Sequence, residues 1–187
     1  MPPQSTNNSP VGSYQSLPNI ELDGEFNPPE FMDDLLQVIV EESLHLPAMF
    51  TLVLRNDYRP VTPDEKVWKH EDLLKMGKPI KIGLTSSTSS EEDSNSSDSE
   101  NEPDYLIEGE ITAIETHFSD RTQAPIIIRG YDFSHRLHRG RFNRSFQNMT
   151  DSDIVKKVIN DVGIASGNIV EIGIQHDYFI KENQTNY

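Results

Sequence analysis

Cysteine is absent from this sequence of 187 residues. Its absence excludes disulfide frameworks, thiolate metal sites and thiol nucleophiles. Long apolar runs are missing as well, because no stretch approaches the ~20 apolar residues that a membrane-spanning helix needs. The first 18 residues are polar and lack the basic start and apolar run of a Sec signal peptide. We therefore expect neither a membrane-spanning segment nor a Sec signal.

Basic residues are scarce relative to acidic ones. The chain has 16 Lys and Arg against 31 Asp and Glu, a formal net charge of -15. Such a balance opposes attraction to phosphate backbones and anionic membranes, so nucleic acid is not an expected partner. Apolar residues make up only 34% of the chain, which predicts that part of it stays outside any packed core.

Two segments are too polar to contribute to a packed core. Residues 85–104 hold seven acidic residues and eight serines, with no basic or large apolar residue. Such a segment cannot bury enough surface to order itself, so we predict a disordered acidic insert there. Residues 1–16 are rich in Pro, Ser and Asn and are predicted to form a disordered tail.

Alternating apolar residues, the pattern of half-buried β-strands, dominate the rest of the sequence. They predict a β-barrel or sandwich over the first two thirds. Residues 169–174 alternate in the same way and predict a further strand, whereas residues 177–187 suit either a helix or a strand. The strands of the first two thirds are predicted at residues 38–42, 49–55, 79–84, 105–114 and 125–131.

One helix is predicted near the end of the sequence. Thr150 to Asp153 suits an N-cap, and acidic residues at the start favour the positive end of a helix dipole. Gly163 is the expected C-terminal stop. The apolar residues that recur at helical spacing are Ile154, Val155, Val158, Ile159 and Val162.

The candidate chemical site is a basic stretch after the last of these strands. His135 and His138 lie three residues apart, a spacing at which two imidazoles can share a metal, with Asp132 as a candidate third ligand. The stretch lacks an HExxH-type context. A solvated basic edge or an ion-pairing surface is therefore the favoured interpretation. Its basic residues are Arg129, Arg136, Arg139, Arg141 and Arg144.

No catalytic pattern accompanies this stretch. A GxSxG elbow is absent, and acidic pairs such as Glu108 with Glu110 are interpreted as exposed charge because no apolar pocket is evident around them. A Gly-rich phosphate loop and an RNP-type motif are absent too. The sequence therefore predicts no enzyme, no cofactor and no bound nucleic acid.

A longer pattern runs from residue 106 to residue 163. It consists of LIEGEITAIE at 106–115, RGYD at 129–132, SHRL at 134–137 and RSFQNMTDSDIV at 144–155. In order and spacing it resembles the hub region of VgrG-like spike proteins of contractile injection systems, a group that includes the phage late-control protein D family. Upstream, LDGE at 22–25 and MGKPI at 76–80 look like the opening strands of the family.

The resemblance covers residues 17–187 apart from the acidic insert. It implies a β-rich α+β fold, in which a hub β-barrel domain at residues 17–145 precedes the start of a second small α+β domain at residues 146–187. Family members continue into the rest of the hub, an OB-fold and a β-helical needle. The resemblance therefore implies that the chain is a fragment, a split product or a truncation.

The resemblance also implies a structural homotrimer without enzymatic activity. Such a trimer assembles in the cytoplasm with baseplate proteins and seats the spike on a hexameric, Hcp-like inner tube, as in phage tails and type VI secretion systems. The alternative is a non-enzymatic binding module that acts as a tether through its acidic loop. Ion pairs between subunits or domains are predicted for Arg129, Asp132, Arg136, Arg139 and Arg141, which cluster beside an element boundary.

Overall fold

The computed structural model describes residues 15–26, 28–56, 66, 68–87, 105–117 and 125–187. The predicted disorder of residues 1–14 and 88–104 concerns parts of the chain outside this description. Residues 15–16 and 85–87 belong to two neighbouring antiparallel strands, because the ladder between those strands continues through them. The ranges predicted to be disordered therefore included a few residues, 15–16 and 85–87, that belong to strands.

The larger unit is one antiparallel sheet of seven strands in the order β2-β1-β5-β6-β7-β4-β3. The sheet curls into a half-barrel, which confirms the predicted β-rich α+β fold class. In the described part of the chain, β3 and one side of β1 are open edges. The strands are β1 (Gln15–Leu22), β2 (Glu25–Phe26), β3 (Leu35–Glu41), β4 (Met49–Leu54), β5 (Pro79–Ser87), β6 (Tyr105–Thr116) and β7 (Ile126–Asp132).

The core of the half-barrel lies on one face of this sheet. In β4 the burial alternates residue by residue, as its sequence predicts, so that Phe50, Leu52 and Leu54 face inward. Helix α1 (Pro29–Asp34) contributes the buried ring of Phe31. Each such side chain contributes roughly 1.5–3 kcal/mol relative to an exposed one. Other members of the core are Ile20, Leu22, Trp68, Leu74, Ile80, Ile82, Ile107, Ile111, Ile126 and Ile128.

The strands β6 and β7 approach each other closely at two glycines. A Cβ atom on Gly130 would lie 2.2 Å from the carbonyl oxygen of Glu110 and 2.2 Å from the Phe50 ring, and one on Gly109 would lie 2.1 Å from the carbonyl oxygen of Tyr131. Neither position has room for a side chain. Together the two glycines allow the close approach of β6 and β7 beside Glu110.

The second unit is a two-stranded ribbon with one helix. Strands β8 (Phe142–Thr150) and β9 (Gln175–Gln184) pair antiparallel, and α3 (Asp151–Asp161) packs against β8. The short helix α2 (His135–His138) lies between β7 and β8. β8 begins a few residues before the predicted boundary at residue 146, so the division into domains stays a prediction.

The predicted helix is confirmed in detail. Thr150 is the N-cap, and its hydroxyl accepts a hydrogen bond from the amide of Asp153 while the Asp153 carboxylate accepts one from the amide of Thr150. This reciprocal pair is a capping box. The chain leaves the helix through Gly163, whose φ of 69° is readily adopted by glycine.

Two expectations for the end of the chain have different outcomes. Residues 175–184 form β9, which settles the open choice between helix and strand. The strand predicted at residues 169–174 is wrong, because these residues pair with no other strand in the described part of the chain. No helix among the described residues is long and apolar enough to cross a lipid bilayer.

Candidate functional site

A buried carboxylate lies where the half-barrel meets the second unit. Glu110, in β6, is 5% exposed, and three basic side chains surround it. Arg136 donates to both carboxylate oxygens, with Nε 3.2 Å from Oε1 and a shorter contact from Nη2 to Oε2. His135 Nε2 lies 3.0 Å and Arg139 Nη2 3.5 Å from Oε1. We refer to Glu110, His135, Arg136 and Arg139 as the Glu110 cluster.

The end of β7 positions the basic members of the cluster. The carboxylate of Asp132 accepts hydrogen bonds from the amide of Ser134 at 2.8 Å and from its hydroxyl at 2.5 Å. Its second oxygen accepts a hydrogen bond from the amide of Ala48 at 2.8 Å. Asp132 therefore ties the turn before α2 to the chain entering β4. This tie holds the first turn of α2 over the strand that carries Glu110.

Arg136 also contacts the second unit. Its Nη1 donates to the carbonyl oxygen of Gly163 at 2.8 Å and to that of Val162 at 3.4 Å. These carbonyls lie at the C-terminal end of α3, where unpaired carbonyl groups and the helix dipole attract a cation. A single guanidinium thus joins a buried carboxylate of the half-barrel to the end of the helix of the second unit.

Electrostatics keep Glu110 and Arg136 ionised. Hydrogen bonding from Arg136 holds the pKa of Glu110 below its ordinary value, although burial acts in the opposite direction. The charges of Arg136, His135 and Arg139 lower this pKa further, and the hydrogen bond to Glu110 raises the pKa of Arg136. A carboxylate removed from water is stable only when it is paired. At neutral pH Glu110 is therefore a paired anion.

The two histidines of the predicted metal site face different partners. His135 Nδ1 donates to the carbonyl oxygen of Asp132 at 2.6 Å, and its other nitrogen faces Glu110. The ring of His138 instead stacks on Tyr187, with ring centroids 4.3 Å apart. The described residues contain no group of three or more His, Cys, Asp or Glu that could hold a metal ion. The geometry therefore offers this hypothesis no site in that part of the chain.

The other residues predicted for ion pairs have separate environments. Arg129 Nη1 lies 2.6 Å from Glu115 Oε1 on the neighbouring strand of the same sheet. Arg139 belongs to the Glu110 cluster, yet its side chain is 61% exposed. Arg141 is exposed, and within the described residues it makes no hydrogen bond or ion pair. Whether any of these residues contacts another subunit stays a prediction.

Sequence reasoning missed the centre of the cluster. Glu108 and Glu110 were both expected to be exposed charge, and only Glu108 is exposed. The expectation fails for Glu110 because the side chains of His135, Arg136 and Arg139 lie over its carboxylate and remove it from water. The available signal was the row of basic residues at 135, 136 and 139, which requires an anion nearby.

An open groove of about 710 Å³ runs along this junction. Its walls come from both units and include Met76, Gly77, Arg136, Phe142 and Val162. The charged groups facing it are already engaged with one another, because Arg136 bonds to Glu110 and to α3. This arrangement is that of a joint between two structural units, in which the ion pair fixes their relative position.

Two solved structures share the fold. A 43 kDa tail protein of prophage MuSo2 from Shewanella oneidensis aligns with 92% of this chain at a TM-score of 0.59 and 14% identity. The E. coli c3393 protein, a type VI secretion component structurally similar to the T4 tail proteins gp27 and gp5, aligns with 89% of it at a TM-score of 0.53 and 17% identity. At these identities the likeness is one of fold.

The chain spans less than half of either solved structure, 45% of the tail protein and 40% of the secretion component. No family model and no curated protein matches the sequence. The likeness nevertheless extends through both the half-barrel and the second unit, since it covers about nine tenths of the chain.

Proposed function

We propose that this chain is a structural, non-enzymatic component of a phage-tail-like contractile injection apparatus, in the hub that carries the spike. The observation that carries the proposal is the fold shared over 92% and 89% of the chain with a phage tail protein and a type VI secretion component. The Glu110 cluster supports it, because its charged side chains pair with one another in a joint between two structural units.

The finer proposal is a VgrG-like hub subunit that forms a trimer and seats on the hexameric inner tube. Its support is the agreement between the sequence resemblance and the structure. Glu110 lies in the LIEGEITAIE motif, Asp132 ends the RGYD motif, and His135 and Arg136 belong to SHRL. The residues that carry the resemblance are therefore the ones that build the joint.

Exposed arginines beside the joint are the proposed contacts with other subunits. Arg139 and Arg141 follow α2, and both side chains have room for an acidic partner. Arg129, Asp132 and Arg136 have partners inside the chain, so their proposed contribution is to fix the surface rather than to bind across it. The net charge of -15 makes acidic surface abundant on any neighbouring copy.

The test is the mass of the purified chain by light scattering, alone and with the candidate tube protein. We expect a trimer that captures the tube protein. A double charge reversal, R139E with R141E, is expected to weaken capture or trimer formation. The matched control reverses two exposed charges elsewhere, R55E with K75E, and is expected to leave both unchanged. A monomer indifferent to the tube protein would overturn the proposal.

A further inference from the structure

The segment at residues 169–174 is extended, apolar and exposed. Val170 is 74%, Ile172 53% and Ile174 64% exposed. The hydroxyl of Ser152 donates to the carbonyl oxygen of Val170 at 3.0 Å and accepts a hydrogen bond from the amide of Ile172 at 2.8 Å. One side chain thus occupies the place of a neighbouring strand along one edge of the segment. We refer to residues 169–174 as the apolar segment.

The opposite edge of the apolar segment is open. In an extended chain, successive peptide groups point to opposite sides, so Glu171 and Gly173 present theirs away from Ser152. Within the described part of the chain these peptide groups make no hydrogen bond. The sequence has the alternation of a strand, and the bonds of Ser152 to residues 170 and 172 fit a strand-like backbone, yet no second strand pairs with it in the described part of the chain. An open edge with exposed apolar side chains favours pairing with another strand.

A matching surface lies on the second unit itself. An apolar groove of about 230 Å³ separates α3 from the ribbon of β8 and β9, and the outer edge of β9 has no paired strand among the described residues. Val155 is 47% and Phe179 41% exposed in this groove. The lining includes Phe146, Ile154, Val155, Val158, Phe179 and Lys181. We refer to it as the α3 groove.

The apolar segment cannot fill the α3 groove of its own chain. It runs into β9 at Gln175 without a turn. Antiparallel pairing with β9 requires a turn of at least about two residues between the strands, and parallel pairing requires a long crossover. Within one copy, covalent geometry therefore prevents the apolar segment from pairing with the free edge of β9. The segment of one copy can pair with the β9 edge of another.

The charges near the two surfaces are complementary. The one charged residue of the apolar segment is Glu171, whose side chain is 86% exposed and whose carboxylate lies 3.6 Å from Nζ of Lys156 in the same chain. The α3 groove has Lys181 in its wall and Lys157 beside Phe146, and neither lysine makes an ion pair within the described residues. Burial, and after it the charge of Arg144, lowers the pKa of Lys181.

We propose that the apolar segment of one copy adds as a third strand to the free edge of β9 in a second copy, with its branched side chains over the α3 groove. This inference deepens the proposed hub function and rests on its association of identical chains. In a trimer each segment docks on the next copy around the ring, and in a dimer the two copies exchange segments reciprocally.

Cross-linking between differently tagged copies tests the contact directly. The sequence has no cysteine, so an Ile172→Cys chain mixed with a Lys181→Cys chain can form mixed products only through the introduced thiols. We expect efficient cross-linking of this pair by a short thiol-reactive linker. A mixture of Leu44→Cys with Lys181→Cys is the control, because Leu44 is 87% exposed and lies in the loop between β3 and β4.

A substitution series tests the energetic role of the segment. Ile172→Asp is expected to weaken self-association at least about tenfold, corresponding to ~1.4 kcal/mol, while Leu44→Asp leaves it unchanged. Circular dichroism and thermal unfolding of each monomer separate loss of docking from loss of folding. The cross-linking result does not depend on the aspartate variant, so a misfolded variant does not leave the contact untested.

The outcomes separate this inference from the hub proposal. A wild-type oligomer that survives Ile172→Asp and cross-links no better than the control overturns the docking and leaves the hub standing. Cross-links from residue 172 to tube protein instead of a second copy overturn the choice of occupant. A monomeric wild type overturns the docking, and tube capture then decides the hub proposal separately. A cross-linked dimer supports the docking and overturns the trimer.

Discussion

The half-barrel and the second unit differ most in how much core each possesses. The half-barrel buries a continuous cluster from five strands, α1 and residues 68–74, whereas the second unit buries only Phe146 and Val158 among its large apolar side chains. A two-stranded ribbon is marginally stable by itself in water. The half-barrel is therefore expected to hold its own structure, while the second unit depends on the joint at Glu110 and on contacts beyond its own residues.

The largest expected effect is a core truncation in the half-barrel. Leu52→Ala removes a fully buried side chain in the middle of β4 and is expected to lower the free energy of unfolding by about 2–5 kcal/mol. Urea denaturation followed by tryptophan fluorescence measures this, because Trp68 lies in the same core. Leu44→Ala, at an exposed position, is the control. Equal losses from the two variants would contradict a self-contained half-barrel.

The next effect concerns the joint. Glu110→Ala leaves Arg136 without its carboxylate and is expected to cost about 2–3 kcal/mol, below the range for fully buried pairs because the arginine is partly exposed. Hydrogen exchange is expected to rise mainly in residues 142–187. Glu108→Ala, on the same strand but exposed, is the matched control. Exchange that rises equally throughout the half-barrel would show that the two units are not separable.

A smaller effect is expected inside the second unit. Thr150→Ala removes the capping hydroxyl of α3 and is expected to cost about 1 kcal/mol. Faster amide exchange in α3, with unchanged exchange in β4 and β7, is the measurement. Ser145→Ala, an exposed hydroxyl of the same unit, serves as the control. If loss of the cap also accelerates amide exchange in the half-barrel, the half-barrel does not hold its structure independently of the second unit.

The smallest expected effect is a loss of the stability that the ionised Glu110 contributes, as the pH is lowered. The pKa of Glu110 is lower in the folded chain than its ordinary value of 4.5, which applies to the unfolded chain. Its contribution is therefore complete above pH 4.5 and is lost as the pH falls through the lower folded value. Thermal unfolding of wild type and Glu110→Gln is expected to converge over that acidic range. Parallel pH profiles would contradict the ion pair as the source of the stability.

The same comparison explains what the sequence could predict. The strand at 49–54 was predictable because its apolar residues alternate, and the strand at 126–132 because it begins with a run of three isoleucines. The polar strand β8 gave no such signal, since only Phe146 is buried in it. The helix α3 was predictable from local chemistry alone, because its cap and its stop lie within the segment. Residues 169–174 show the opposite case, a strand pattern without a strand partner.

The candidate site was only partly predictable. Arg136 was among the residues predicted to form ion pairs between subunits or domains, and within the chain it bonds to Glu110 and to a carbonyl at the end of α3. Its partner Glu110 was not found, because its burial comes from side chains of α2 and from Arg139, which only the tertiary structure places over β6. A short motif fixes which charges are present, while tertiary packing decides which of them are removed from water.

The crowding at Gly130 also constrains how far the sequence can drift. A ring from β4 fills the space where any side chain at residue 130 would stand, and Gly109 faces a backbone carbonyl in the same way. A homologue that keeps both the ring and the close approach of the two strands must therefore keep glycine at both places, however little else it shares. Two glycines at this separation, the first followed at once by an acidic residue, form a search pattern for relatives too divergent for ordinary alignment.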